Sequence, residues 1–153
     1  MAHLSLRGHS LGLIRGVLFD KDGTLSHSEP HLIELADARI EEIIRVFASR
    51  GASTDVQVQL LGLLKRAMGR CDSGLIPDGT LAVASRQHNL LSTATIFCLF
   101  DLSWPQALVL AEEIFDSVDR RHKHNATEAS LSARTPLPHS KELLNELHSA
   151  GVI

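Results

Sequence analysis

The sequence predicts an α/β chain in which one short apolar strand precedes a long run of helices, and the start of a second strand closes the chain. Three observations carry this expectation. Residues 13–19, Leu-Ile-Arg-Gly-Val-Leu-Phe, are apolar and rich in branched or aromatic side chains, and they run directly into the turn-forming cluster Asp20-Lys21-Asp22-Gly23-Thr24. From Leu32 onward the apolar residues recur at three-and-four spacing, the period of a helix. At the far end Leu143, Leu144 and Leu147 mark a short amphipathic helix, Gly151 stands where a C-terminal cap belongs, and Val152-Ile153 opens a strand.

Between these ends each helix has its own signals. Leu32, Ile33, Ala36, Ile40, Ile43, Ile44 and Phe47 form the first stripe, with Pro30 suited to the first turn and a stop near Gly51. Ser53, Thr54 and Asp55 offer caps for a second stripe running from Val56 to Met68, which Gly69 closes. Gly74 to Gly79 punctuates the chain, and Thr80 is read as the cap of one long helix from Leu81 to about Phe100. Ser103-Trp104-Pro105-Gln106 matches a capping box and opens another helix through Val118, with Trp104 read as core or as the staple of that cap. The polar stretch from Arg120 to Arg134 reads as a frayed helix end and connection, and Thr135-Pro136-Leu137-Pro138 as a stiff hinge. The N-terminus from Met1 to Ile14 is read as a cytoplasmic leader.

Composition narrows the function classes. The chain has 153 residues, with 15 basic and 18 acidic side chains, a net charge of −3 and 44% hydrophobic residues. A chain of this length can bury roughly 68–70% of the surface its unfolded form exposes, so a core needs no disulfide or structural metal. A dedicated nucleic-acid or anionic-membrane binder would carry a clustered basic excess, and base-stacking platforms need more aromatics than the 4% present. Cys71 and Cys98 lack CxxC spacing and read as reduced thiols, and no stretch resembles a secretory signal or a membrane span; a cytoplasmic protein is expected.

The chemistry concentrates at one place. Asp20 and Asp22 are two residues apart at the end of the expected strand, so an extended backbone projects both carboxylates to one side. The crevice beyond the carboxyl ends of strands is where open α/β sheets bind ligands. Gly23 permits a sharp turn, and exposed amides in such a turn can cradle a phosphate. Paired acids on a loop attract a hard divalent cation, and Mg²⁺ takes one or two carboxylates completed by water and substrate phosphate.

The apolar run into Asp20-Lys21-Asp22-Gly23-Thr24-Leu25 resembles the first motif of the haloacid dehalogenase-like superfamily, whose members are mostly Mg²⁺-dependent phosphatases. The resemblance implies a Rossmannoid α/β core, here incomplete, with a mainly helical cap. It implies residues 1–28 as the first core strand and nucleophile loop, 29–135 as the cap, and 136–153 as the return to the core. Asp20 would be the nucleophile that forms an aspartyl-phosphate, and Asp22 the acid that protonates the leaving oxygen and then activates water. Lys21, Asp22 and Gly23 would contact the phosphate, and Mg²⁺ would bind at the Asp20 carboxylate and the Asp22 main-chain carbonyl. An Asp at position 22 favours phosphate esters, or a phosphomutase, over carbon–halogen or carbon–phosphorus cleavage, and the partner is expected to be a small phosphorylated metabolite. The later motifs of the family, a strand-end Ser or Thr, a Lys or Arg and an acidic pair, have no counterpart here. A truncated chain of weak or no activity is therefore expected, and the alternative is a helical interaction module that keeps a relic acidic loop.

Other candidates give way to simpler readings. A calcium-binding EF-hand loop starting at Asp20 would put Leu25 at its required glycine and His31 at its bidentate glutamate. His122-Lys123-His124 reads as a solvated basic turn, Lys65, Arg66 and Arg70 as an exposed charged face, and Cys98 as a packed small hydrophobe.

Overall fold

In the computed structural model, residues 2–20, 23–124 and 135–152 are described. The expected leader is a hairpin. Strand β1 (Ala2–Leu6) pairs antiparallel with β2 (His9–Ile14), from Ala2 opposite Ile14 to Leu6 opposite His9, with an irregularity in register after Leu4. Arg7 and Gly8 between them both have positive φ, 50° and 81°, as a two-residue turn of the kind that matches strand twist requires. The strand expected over residues 13–19 is thereby corrected. Leu13 and Ile14 complete β2, whereas residues 16–20 run on without a ladder partner and Leu18 is fully exposed. Pairing across two turn residues closes a minimal loop, so the local partner is reached at little entropic cost.

The remaining elements are β3 (Ser26–His27), α1 (Glu29–Ser49), α2 (Thr54–Met68), β4 (Arg70–Cys71), β5 (Gly74–Leu75), α3 (Thr80–Val83), α4 (Arg86–Cys98), α5 (Trp104–His124), β6 (Thr135–Pro136) and α6 (Ser140–Ser149). The described residues form three antiparallel pairs, β1 with β2, β3 with β6 and β4 with β5. The chain divides into two units, Met1–Ser28 with Arg134–Ile153, and Glu29–Ala133. No helix among the described residues is long and apolar enough to cross a membrane.

The second unit is a helical bundle in which α1 packs on α2 and α5, and α4 lies along α5. Its centre is Ile43, Leu60, Leu64, Phe97 and Phe115, each essentially without solvent exposure. Phe47 and Phe97 meet at 5.1 Å between ring centroids, tilted by 52°, a favourable aromatic arrangement. The single helix expected from Leu81 to Phe100 is two helices. Ala84 is extended, and Ser85 caps α4 by accepting the His88 amide at 3.2 Å. Asn89, buried, holds this break: its amide nitrogen donates to the carbonyls of Thr80, Ala84 and Ser85 at 3.0–3.2 Å. Thr80 is therefore no cap; its hydroxyl lies 2.7 Å from the Ala67 carbonyl. Gly69 caps α2 at φ 73°, and a Cβ there would stand 2.7 Å from the Cα of Gly79, so the two backbones cross where only glycine fits. Ser103 and Gln106 hydrogen-bond as the capping box predicts, but Trp104 is 47% exposed rather than core.

Sequence periodicity leaves charged residues outside, yet Arg39 and Glu42 of α1 are buried. Arg39 donates to Asp119 of α5 at 3.0 Å and lies over the Phe115 ring at 4.0 Å. Arg86 of α4 reaches Asp119 at 2.7 Å and Asp116 at 2.6 Å, so one carboxylate ties three helices. Burial pushes the Asp119 carboxyl up, but hydrogen bonds from Arg86 and Arg39 outweigh it and hold the group below its ordinary value. Glu42, shared by Arg45 and Arg121, is likewise held low, chiefly by its hydrogen bond from Arg45.

Three substitutions test this packing. Phe97→Ala should destabilise the bundle by about 3–5 kcal/mol, read as a lower urea midpoint. Asp119→Ala should cost on the order of 3–5 kcal/mol, because it leaves Arg39 buried without its counter-charge. Since the folded pKa of Asp119 is depressed, its contribution is complete above the ordinary value of 3.8 and is lost as pH falls through the folded value. Asp119→Asn should therefore flatten the fall in stability on acidification below about pH 4, measured by urea titrations at stepped pH.

Candidate active site

The first unit builds the site from a loop and a helix that a two-stranded sheet brings together. Residues 16–20 have no regular secondary structure, and they end at Asp20, whose side chain is exposed. The chain then turns. Gly23 takes φ 81° and its amide donates to the Ser26 carbonyl at 2.9 Å, closing the turn. The Thr24 hydroxyl points back and donates to Asp20 Oδ2 at 3.4 Å. Beyond the turn Ser26 pairs with Pro136 and His27 with Thr135, and the Leu137 amide donates to the Leu25 carbonyl at 3.0 Å.

That pairing positions α6. Ser140, its first residue, is buried and is fixed by its hydroxyl donating to the Leu137 carbonyl at 2.8 Å. His139, the residue before the helix, is held at φ 64°, an uncommon conformation for a side chain that is not glycine. Between the Asp20 loop and α6 lies a cavity of about 470 Å³, with Phe19, Thr24 and Leu25 on the loop side and His139, Ser140 and Leu143 on the helix side. Its volume falls within the range of small-molecule sites.

Of the residues expected at this site, Asp20 and Gly23 share the one loop, while Lys21 and Asp22 lie outside the described residues. Gly23 acts differently from expectation. Its amide, expected for a phosphate, is committed to Ser26, and its contribution is the left-handed backbone of the turn. Sequence reasoning missed Thr24 as the hydroxyl partner of Asp20, although its place four residues on, across a glycine turn, is the available signal. It also missed the helix side of the cavity, which nothing local to residues 138–146 announces.

An exposed aspartate oxygen is a hard donor of the type Mg²⁺ prefers, and that ion needs one or two protein carboxylates because water and phosphate complete its shell. Asp20 fits this modest demand. No group of three or more potential metal-ligating side chains occurs among the described residues. Elsewhere, the Cys71 and Cys98 thiols are free, as expected; Cys98 is half-buried against the core. Cys71 hydrogen-bonds Ser73, which holds its thiol below the ordinary value. Of the expected basic face, Arg70 is paired with Asp37 at 2.9 Å.

No family model, no curated protein and no solved structure matches this sequence. The site is accordingly argued from its own geometry.

A pair of glycine substitutions separates backbone conformation from space. A Cβ added at Gly23 or at Gly62 of α2 meets nothing within 4 Å, but only Gly23 has positive φ. Gly23→Ala should destabilise its unit by about 1–2 kcal/mol, whereas Gly62→Ala should stabilise the bundle by about 0.5–1 kcal/mol, both read from urea midpoints.

Proposed function

We propose that this chain carries the nucleophile loop of a Mg²⁺-dependent phosphate monoester hydrolase of the haloacid dehalogenase-like superfamily. The observation that supports it best is the position of Asp20. Its exposed carboxylate follows the apolar residues 16–19 and accepts from the Thr24 hydroxyl, and Phe19 and Thr24 line a cavity of small-molecule size. A carboxylate in that position is free to attack, and the motif around it is the one the superfamily uses.

In the first step an oxygen of Asp20 attacks phosphorus, the bond from phosphorus to the ester oxygen breaks, and the Asp22 carboxylic acid gives its proton to the departing oxygen. An alcohol leaves and an aspartyl-phosphate remains on residue 20. In the second step the Asp22 carboxylate takes a proton from water as that water attacks phosphorus, the bond to Asp20 breaks, and inorganic phosphate departs. Asp20 and Asp22 would hold Mg²⁺, whose positive charge would offset repulsion between a carboxylate and an anionic phosphate. Thr24 orients Asp20 through its hydrogen bond, leaving the second carboxylate oxygen to react. The substrate class is a small phosphorylated metabolite.

Covalent labelling tests this reading without requiring fast turnover. The protein is mixed with p-nitrophenyl phosphate and Mg²⁺, quenched with borohydride and digested. An acyl phosphate at residue 20 is reduced to homoserine, so a peptide with homoserine at that position is expected from the wild type and none from Asp20→Asn. Recovery of unmodified Asp20, with p-nitrophenol release equal in wild type and Asp20→Asn, overturns the proposal.

A further inference from the structure

The helical unit brings two imidazoles together. His31 lies in the first turn of α1 and His122 in the last turn of α5, with ring centroids 6.1 Å apart and ring planes at 80°. Both residues are half-buried, so a dissolved ion reaches them without crossing the core. The helices that carry them are already tied to each other. Arg39 of α1 donates to Asp119 of α5 at 3.0 Å, and Arg121, the neighbour of His122, reaches Glu42 of α1 at 2.9 Å. A ligand that joins the two rings therefore costs little further ordering of the chain.

Imidazole nitrogen suits Zn²⁺, Cu²⁺ and Ni²⁺, whereas Mg²⁺ takes oxygen ligands. At a Zn–N length of about 2.0–2.1 Å an imidazole centroid stands about 3.2 Å from the ion, so two bound rings stand about 5 Å apart at a tetrahedral angle and about 6 Å apart at a wider one. His31 and His122 are at the outer part of that range. They meet edge to face rather than stacked, and a turn about the side-chain bonds brings one nitrogen of each ring towards a common point. Arg121 and Lys123 flank His122 in sequence, but successive residues of a helix do not face one another, and the Arg121 charge is met by Glu42. We propose that His31 and His122 bind one divalent cation of the Zn²⁺ type, with water completing its shell, and that the ion clamps the start of α1 to the end of α5. The ligand chemistry differs from that of Asp20, so this site stands or falls independently of the hydrolytic reading.

Thermal unfolding of the chelator-treated full chain tests the clamp with ZnCl₂ as the probe and MgCl₂ as its control. An ion held by the folded state alone raises the midpoint, by about 5 °C when free Zn²⁺ is ten times its dissociation constant. Mg²⁺ should give no such shift. His31→Gln and His122→Gln should each remove the Zn²⁺ shift, while His88→Gln, at an exposed position of α4, should keep it. Nitrogen-15 spectra of the wild-type imidazoles give a readout that needs no variant to fold: added Zn²⁺ should move ring nitrogens of His31 and His122 together. No Zn²⁺ shift in the wild type, a shift that survives in His31→Gln or His122→Gln, or ring signals that move only at other histidines overturns the proposal.

Discussion

The short pairing of Ser26–His27 with Thr135–Pro136 is the contact on which the candidate site depends. It makes neighbours of an acidic loop near the start of the chain and a helix near its end, and the Leu137 amide extends it to Leu25. Closing a flexible excursion of about 100 residues would cost on the order of 4 kcal/mol, more than so few hydrogen bonds supply. The helical unit removes most of that cost by returning its own chain. The start of α1 and the end of α5 lie together, with the rings of His31 and His122 at 6.1 Å. The excursion therefore comes back near where it left before the strands meet.

The two units are stabilised in different ways. In the bundle, apolar stripes on α1, α2, α4 and α5 close around Phe97 and Phe115, and a carboxylate at Asp119 joins arginines from two helices. Such a buried charge group adds less net stability than apolar packing would, but it restricts which helix faces can meet, since Arg39 cannot be left buried alone. The first unit has little such interior. Among its described residues Val152 is the one buried hydrophobic side chain, and Leu6, Leu11, Leu13 and Leu18 are each at least 60% exposed. Hydrogen bonds of hairpin and turn, rather than burial, set its local geometry. That leaves the Asp20 carboxylate open to solvent.

Legibility in the sequence followed the range of the interactions involved. Helix starts and stops at Ser53, Gly69 and Ser103 are decided by side chains within three or four residues of the backbone groups they satisfy, and each was readable. The break at Ser85 was misread because Thr80 offers an equally good cap, and the choice between them is made by Asn89 folding back on three carbonyls. The hairpin at the start was missed because Arg7-Gly8 is a weaker turn signal than Asn-Gly or Asp-Gly, although its alternation of leucines with polar residues was present.

The strand expectation over residues 13–19 shows the boundary most clearly. Composition identifies a segment that favours extended backbone, yet only Leu13 and Ile14 of it lie in a strand and residues 16–20 have no regular structure. Whether such a segment becomes a strand depends on a partner for its amides and carbonyls, which no property of the segment supplies. The same division holds at the site. The residue types of the Asp20 loop, its turn at Gly23 and the helical period of the bundle were determined by neighbours in sequence. The meeting of Phe19 and Leu25 with Leu143, Glu142 and Glu146 was decided by tertiary structure alone, because it is enforced by hydrogen bonds between residues that are far apart along the chain.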